Sequence, residues 1–241
     1  MTLRRDHGWW PYLVPVFAFL LLGEIGARLP ASLAPWVLPV RVLVPAALLG
    51  LFFARGAYPE LASPPPGGLR GGLLDVAVGL AGAAVWMAPY VALDHAALPG
   101  WMRPAPDAAF DAQVFGPGRA GLALGFRLTG FALVTPFAEE LFVRGWLARW
   151  LEVFDSRRDF RDVPLGHYSA RSLVGVVLFF TAGHLPWEWP VAVLWVLGTQ
   201  LWFYRRRHLG ALVLVHAVSN FSIFIAVLAA DRAGVNLWYF L

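Results

Sequence analysis

The sequence of 241 residues contains no cysteine and no lysine, and charged residues make up only 14% of it. Without cysteine there can be no disulfides and no thiolate metal site. The basic residues are all arginine, which we attribute, together with the many alanines and glycines, to a GC-rich genome; we expect no nucleic-acid partner. Soluble domains usually carry about 25% charged residues. The mean hydropathy of +0.63 therefore indicates a polytopic membrane protein.

Seven apolar stretches are long enough to cross a bilayer, which takes about 20 residues. They cover residues 10–29, 36–54, 73–93, 120–138, 170–186, 188–204 and 209–230. The apolar region actually continues from residue 120 to 152, and Pro136 could kink or break it, so that residues 137–152 become an additional span. The sequence predicts an all-α polytopic membrane bundle of about seven to eight transmembrane helices, which forms a single transmembrane domain over residues 1–241.

The arginines are distributed unevenly between the two ends of these spans. With a cytoplasmic amino terminus and seven alternating spans, the opposite side receives only Arg28, Arg103, Arg119 and Arg232. The cytoplasmic side receives three times as many: Arg4, Arg5, Arg55, Arg70, Arg149, Arg157, Arg158, Arg161, Arg171, Arg205, Arg206 and Arg207. Because positive charge is enriched in cytoplasmic loops, this bias predicts a cytoplasmic amino terminus.

Two adjacent acids, Glu139 and Glu140, and the nearby Arg144 are expected on one of the apolar helices. Glu140 and Arg144 are four residues apart and can pair on one helix face. Glu139 points about 100° away and stays free for solvent or substrate. A charged residue at the centre of a membrane helix costs roughly 2.5–3.5 kcal/mol. Because pairing does not offset that cost for Glu139, we interpret Glu139 as functional and the Glu140–Arg144 pair as structural.

Two further motifs each place a histidine on an apolar helix. His184 follows Phe180 by four residues, and Asn220 follows His216 by four residues. Each pair therefore shares a helix face and can reach one cavity. Ionisable groups within membrane helices are functional by default, so these groups and Glu139 are the candidate catalytic residues.

In this order and spacing, the three motifs resemble the CAAX protease and bacteriocin-processing family, whose members are intramembrane endopeptidases related to the type II CAAX prenyl protease. Thr135-Pro136-Phe137-Ala138 before the acids and Gly145 after the arginine also resemble the first motif of that family. The resemblance covers about residues 120–225. It places the protease motifs in a core of residues 120–230, whereas residues 1–119 carry no family signature.

The resemblance implies hydrolysis of a peptide bond by a water molecule that Glu139 activates. It implies that His184 holds or deprotonates this water, and that His216 and Asn220 stabilise the oxyanion of the tetrahedral intermediate. The residues that would support the site structurally are Glu140, Arg144 and Phe180. Members of the family are commonly described as metalloproteases, although some resemble glutamate proteases without a metal. Glu139, His184 and His216 could bind zinc, but no His-Glu-x-x-His motif is present, so we favour a site without tightly held zinc.

The expected substrate is a membrane-associated peptide or protein, and the expected location is the inner membrane of a bacterium. The alternative is a non-catalytic scaffold or immunity-type relative, or a transporter. A transporter should show inverted repeats and broken helices in both halves, whereas the polar motifs here are confined to one half.

Two smaller expectations concern charged and apolar residues outside the motifs. Arg127 lies within an apolar stretch, where it could meet a substrate carboxylate or pair with Asp75 or Glu24 on another helix; we favour the pairing. The apolar tail, residues 235–241, could lie at the membrane interface.

Overall fold

A computed structural model of the chain describes residues 8–93, 98–104 and 109–241. In these ranges the regular structure is entirely helical, which confirms the predicted all-α class. Seven helical rods are joined by loops and short 3-10 turns. They are α1 (Trp10–Gly26), α2 (Ala34–Ala54), α3 (Gly68–Ala92), α4 (Ala120–Trp150), α5 (Ala170–Ala182), α6 (Trp189–Arg206) and α7 (Leu209–Arg232).

Four of the rods, α2, α3, α4 and α7, are long and apolar enough to cross a membrane. Helices α1 and α5 are apolar but shorter, with 17 and 13 residues. Large apolar side chains such as Trp36, Leu178 and Leu201 are exposed on the outside of the bundle, as lipid-facing residues are. The protein is a polytopic membrane protein, and the seven rods agree with the lower of the two helix numbers predicted.

Helix α4 is one continuous rod of 31 residues, so no separate span begins at residue 137. Two π segments, Gly130–Val134 and Leu141–Leu147, flank the α-helical turn Thr135–Glu140. Pro136 lies in the first turn of that α-helical piece. A proline in a regular α-helix clashes with the carbonyl four residues before it, and the wider π turn before Pro136 relieves this clash without ending the helix.

Helix α7 is the most deeply buried of the four long rods, with 56% of its apolar stretch inside the bundle. Its closest neighbour is α3, where Gly79 allows the two backbones to approach. A Cβ atom on Gly79 would lie 2.7 Å from the carbonyl oxygen of Val215. At the same point Ser219 Oγ donates a 2.8 Å hydrogen bond to the Gly79 carbonyl. Helix α7 therefore holds His216 and Asn220 in a tightly packed part of the fold.

Buried polar contacts connect the amino-terminal rods to the rods that carry the motifs. Tyr12 Oη donates to Glu60 Oε1 over 2.9 Å, and Arg149 at the end of α4 forms an ion pair with the same carboxylate. On α3, Asp75 accepts hydrogen bonds of 2.9 and 2.8 Å from Arg206 Nε and Nη2. The expected pairing of Arg127 with Asp75 is therefore wrong, because Arg206 occupies this carboxylate.

The carboxyl-terminal tail packs on the helical core, and its expected position at the membrane interface stays a prediction. Leu237, Phe240 and Leu241 are buried. The Phe240 ring contacts the rings of Tyr90 and Trp187, with centroid separations of 5.6 and 6.1 Å. The tail thus closes one end of the bundle.

Candidate active site

A cavity of about 330 Å³ opens among the helices, and its walls come from α1 to α7 and the tail. All four candidate catalytic side chains line it. These are Glu139, His184, His216 and Asn220. The four side chains therefore point into one space, although they come from α4, from α7 and from the segment just after the end of α5.

The two adjacent acids have different surroundings. The Glu139 side chain retains 26% of its exposure, whereas that of Glu140 is fully buried. Glu140 Oε1 accepts a 2.9 Å hydrogen bond from Arg144 Nη1. Arg144 also donates to Thr199 Oγ1 over 2.9 Å and to Gln200 Oε1 over 3.3 Å. The Glu140–Arg144 pairing predicted from the sequence is confirmed, and it leaves Glu139 as the acid that faces the cavity.

His216 lies between both carboxylates. Its Nδ1 is 3.0 Å from Glu140 Oε1, and its Nε2 is 3.9 Å from Glu139 Oε2. Because the Glu140 carboxylate can only accept, Nδ1 must carry a hydrogen and donate it. The other nitrogen, Nε2, is thereby directed at Glu139 and the cavity. The ring is held from the side by Trp195, whose centroid lies 4.7 Å away.

His184 follows the end of α5 and is positioned by Phe180. Its Nδ1 lies 2.7 Å from the Phe180 carbonyl oxygen, so Nδ1–H donates and Nε2 is the nitrogen left for chemistry. The aromatic ring of Phe180 also contacts the imidazole ring of His184, with centroids 4.5 Å apart. Phe180 in turn stacks on Trp195 at 5.1 Å and an interplanar angle of 12°. Phe180 therefore fixes both the tautomer of His184 and the position of its ring.

Asn220 is anchored to the first π segment of α4. Its Nδ2 donates a 2.7 Å hydrogen bond to the carbonyl oxygen of Phe131. A π turn shifts the helical hydrogen bonds by one residue and disturbs the regular ladder, which is why such turns often occur at functional sites. The second N–H of the amide remains for another acceptor.

In the part of the chain that the structure describes, no three His, Cys, Asp or Glu side chains form a group that could hold a metal ion. Glu139, His184 and His216, the possible zinc ligands named from the sequence, line one cavity, and Glu139 Oε2 lies 3.9 Å from His216 Nε2.

Several residues of the cavity wall had no signal in the sequence. Trp86 from α3 and Trp195 from α6 pack against the two histidines, at 5.2 Å from His184 and 4.7 Å from His216. Tryptophan is frequent in this chain, with 12 residues, so neither stood out. Their contacts with the histidines depend on how the rods pack together, which the sequence does not specify.

Arg127 also lines the cavity, and its predicted partners are both wrong. Glu24 pairs with Arg28 over 3.4 Å, and Asp75 is bound to Arg206. The Arg127 guanidinium lies instead over the rings of Phe110 and Phe131, at 5.6 and 5.4 Å from their centroids. Aromatic faces can hold a cation in this way without an acid.

These observations define the class of the protein: a polytopic membrane protein that encloses an acid, two histidines and an amide in a cavity among its helices. Residues 122–222 match a family model described as type II CAAX prenyl endopeptidase Rce1-like. The resemblance to this family is thereby confirmed for that segment, which contains all three motifs. The match makes this segment similar to type II CAAX prenyl endopeptidases. Comparisons with curated proteins and with solved structures gave no match.

Proposed function

We propose that the protein is an intramembrane endopeptidase that hydrolyses a peptide bond with a water molecule activated by Glu139. The observation that carries this proposal is the contrast between the two neighbouring acids. Glu140 is fully buried against Arg144, while Glu139 is partly exposed in the cavity and 3.9 Å from His216. A general base must be able to reach a water and a substrate, and of these two acids only Glu139 can do so.

In the proposed reaction, Glu139 takes a proton from a water that His184 Nε2 helps to hold, and the water oxygen attacks the carbonyl carbon. The negative charge on the carbonyl oxygen is met by Asn220 Nδ2–H and by the protonated His216 ring, whose Nδ1–H donates to Glu140. Glu139 then gives its proton to the amine that leaves. A positioned base contributes typically ~10²–10⁴ in rate, and one oxyanion donor about 10²–10³.

No metal takes part in the proposed mechanism. We therefore expect that EDTA leaves cleavage unchanged, and that elemental analysis of purified protein finds far less than one zinc per chain. The reason is that no cluster of three possible ligands occurs among the residues that the structure describes. Loss of activity with EDTA, restored by zinc, would replace the glutamate-only mechanism with a metal-dependent one.

The proposed substrate is a peptide or protein within or at the bilayer of a bacterial inner membrane. The helix ends support a cytoplasmic amino terminus. If the seven rods alternate in direction, one side of the membrane carries the end of α2, the start of α3, the end of α4 and the end of α6, and these ends are rich in arginine. Arg4 and Arg5, which belong to that count, lie outside the described residues. An amino-terminal reporter that stays inaccessible from the periplasm would support this orientation.

The experiment that tests the function compares membrane peptides from cells that carry the intact chain with those from cells that carry the Glu139→Gln form. We expect peptides that occur only with the intact chain, because glutamine preserves the size of the side chain but cannot accept a proton. Cells with a Glu24→Gln form supply the control, since Glu24 is largely exposed and pairs with the exposed Arg28. Identical peptides with all three forms would contradict the proposal.

A further inference from the structure

The cavity holds more positive charge than the proposed reaction uses. Besides the two histidines, the guanidinium groups of Arg41 and Arg127 line its wall. The acids on the same wall are Glu139, which lies beside His216, and Glu188, which accepts a hydrogen bond from Leu185 N and attracts His184. Neither acid forms an ion pair with either arginine.

Arg127 has an unsatisfied donor. Its Nε is buried and has no hydrogen-bond partner among the residues that the structure describes. Its contacts are the faces of the Phe110 and Phe131 rings, which hold a cation but accept no conventional hydrogen bond. A buried donor without an acceptor destabilises the protein. An anion bound to this guanidinium group would stabilise its buried charge.

The first π segment turns Arg127 toward the same side of α4 as Glu139. The two residues are 12 apart, and on a regular α-helix they would differ by about 120° in direction. The π turn at Gly130–Val134 lies between them. One extra residue accommodated by this turn reduces the difference to about 20°. Arg127 and Glu139 thus share one wall of the cavity, about 16 Å apart along the helix axis.

Arg41 joins Arg127 from α2, where the two helices come close. A Cβ atom on Gly130 would lie 2.8 Å from a methyl group of Val42, the residue after Arg41. The two guanidinium groups are near enough to repel each other. Arg41 is held by the Phe19 ring at 4.1 Å and by a 3.3 Å hydrogen bond to the Phe19 carbonyl, and it is attracted by Glu24 without an ion pair. An anion between two like charges would stabilise both.

We propose that Arg127, assisted by Arg41, forms a subsite that binds a carboxylate of the peptide substrate, at a distance from the water that Glu139 activates. The planar guanidinium group matches a carboxylate through two parallel hydrogen bonds. This inference rests on the proposed function for the identity of the ligand as a peptide. The carboxylate is either the carboxyl terminus of the peptide or an acidic side chain, and both present the same group to Arg127.

The test measures binding and not cleavage, so that it does not depend on the catalytic role of Glu139. The Glu139→Gln protein in zwitterionic nanodiscs is titrated calorimetrically with three synthetic probes. They are acetyl-tetraleucine with a free carboxyl terminus, the same peptide as its amide, and the amide with glutamate as the last residue. We expect the free acid, the glutamate amide or both to bind about ten- to a hundredfold more tightly than the plain amide, since each tenfold is about 1.4 kcal/mol.

Variants then test whether the two arginines cause any preference for the carboxylate probes. Arg127→Gln should abolish the preference for a carboxylate, Arg127→Lys should keep part of it, and Arg41→Gln should reduce it. Arg28→Gln is the matched control, because this arginine is exposed and pairs with Glu24; it should change nothing. Comparison of the free acid with the glutamate amide identifies which carboxylate is bound.

Two results would overturn the inference. One is equal binding of acid and amide probes to the protein with both arginines intact, a result that needs no variant to fold. The other is a preference for carboxylate that survives Arg127→Gln. Displacement of every probe by anionic lipid, dependent on Arg127, would assign the subsite to a lipid headgroup and also reject the peptide carboxylate. If carboxylate binding fails while Glu139→Gln still stops cleavage, the proposed function stands and only this subsite falls.

Discussion

Glu139→Gln is expected to lower the rate of peptide hydrolysis by about 10²–10⁴ while leaving the fold intact. Glutamine has nearly the same size and can still accept a hydrogen bond, but it cannot take the proton from water. The side chain faces the cavity, with 26% of its surface exposed, so its replacement should not disturb packing. The measurement is the cleavage rate of purified protein in nanodiscs, on a peptide found by the comparison of membrane peptides.

The control for this prediction has to distinguish removal of the catalytic base from unfolding or poor expression of the protein. Glu24→Gln makes the same chemical change at a largely exposed acid and should cleave at the normal rate. Both forms should unfold at the same temperature as the unaltered chain. A Glu139→Gln protein that retains more than about a tenth of the rate would mean that another group activates the water.

Arg144→Ala is expected to destabilise the protein by about 3–5 kcal/mol, because it leaves the Glu140 carboxylate buried without its cation. Neither side chain of the pair has any exposed surface. The arginine also donates to Thr199 and Gln200, whose acceptors would lose their partner. The measurement is the free energy of unfolding during an SDS titration in mixed micelles.

The chain contains a matched exposed pair for comparison. Arg28 and Glu24 are also four residues apart, at 3.4 Å, but their side chains are 80% and 71% exposed. Arg28→Ala should therefore change the free energy of unfolding by no more than about 1 kcal/mol. If Arg144→Ala has no larger effect than Arg28→Ala, the buried pair does not hold the site together.

A double variant separates the stability of the pair from its role in the site. Apolar residues of similar volume often replace a buried ion pair with little loss of stability. Glu140→Leu with Arg144→Met should therefore recover much of the stability that Arg144→Ala loses. It should not recover cleavage, because His216 Nδ1 would lose the carboxylate that orients it.

Local helix geometry explains why part of the site could be predicted from the sequence. The Glu140–Arg144 pair and the opposite direction of Glu139 follow from 3.6 residues per turn. The contact between His216 and Glu140 joins residues 76 positions apart and depends on how α4 packs against α7. No spacing rule predicts such a contact, and the sequence therefore assigned Glu140 to Arg144 alone.

The sequence prediction was wrong for the partner of Arg127 and left the effect of Pro136 open. Arg127 was expected to pair with an acid, but two aromatic rings hold it. Pro136 could have kinked or broken α4, but the π turn before it keeps the rod continuous. Both outcomes depend on neighbouring backbone and rings that composition and hydropathy do not describe.

The polar contacts of Glu60 and Asp75 restrict how the amino-terminal half can change over evolutionary time. Each acid neutralises an arginine, Arg149 or Arg206, that belongs to the other half of the chain. Replacement of either acid by a neutral residue would leave its arginine buried without a counter-ion. We therefore expect such a replacement to be accompanied by a change of the paired arginine. Glu60 and Asp75 thus link the amino-terminal half of the chain to residues of the carboxyl-terminal half.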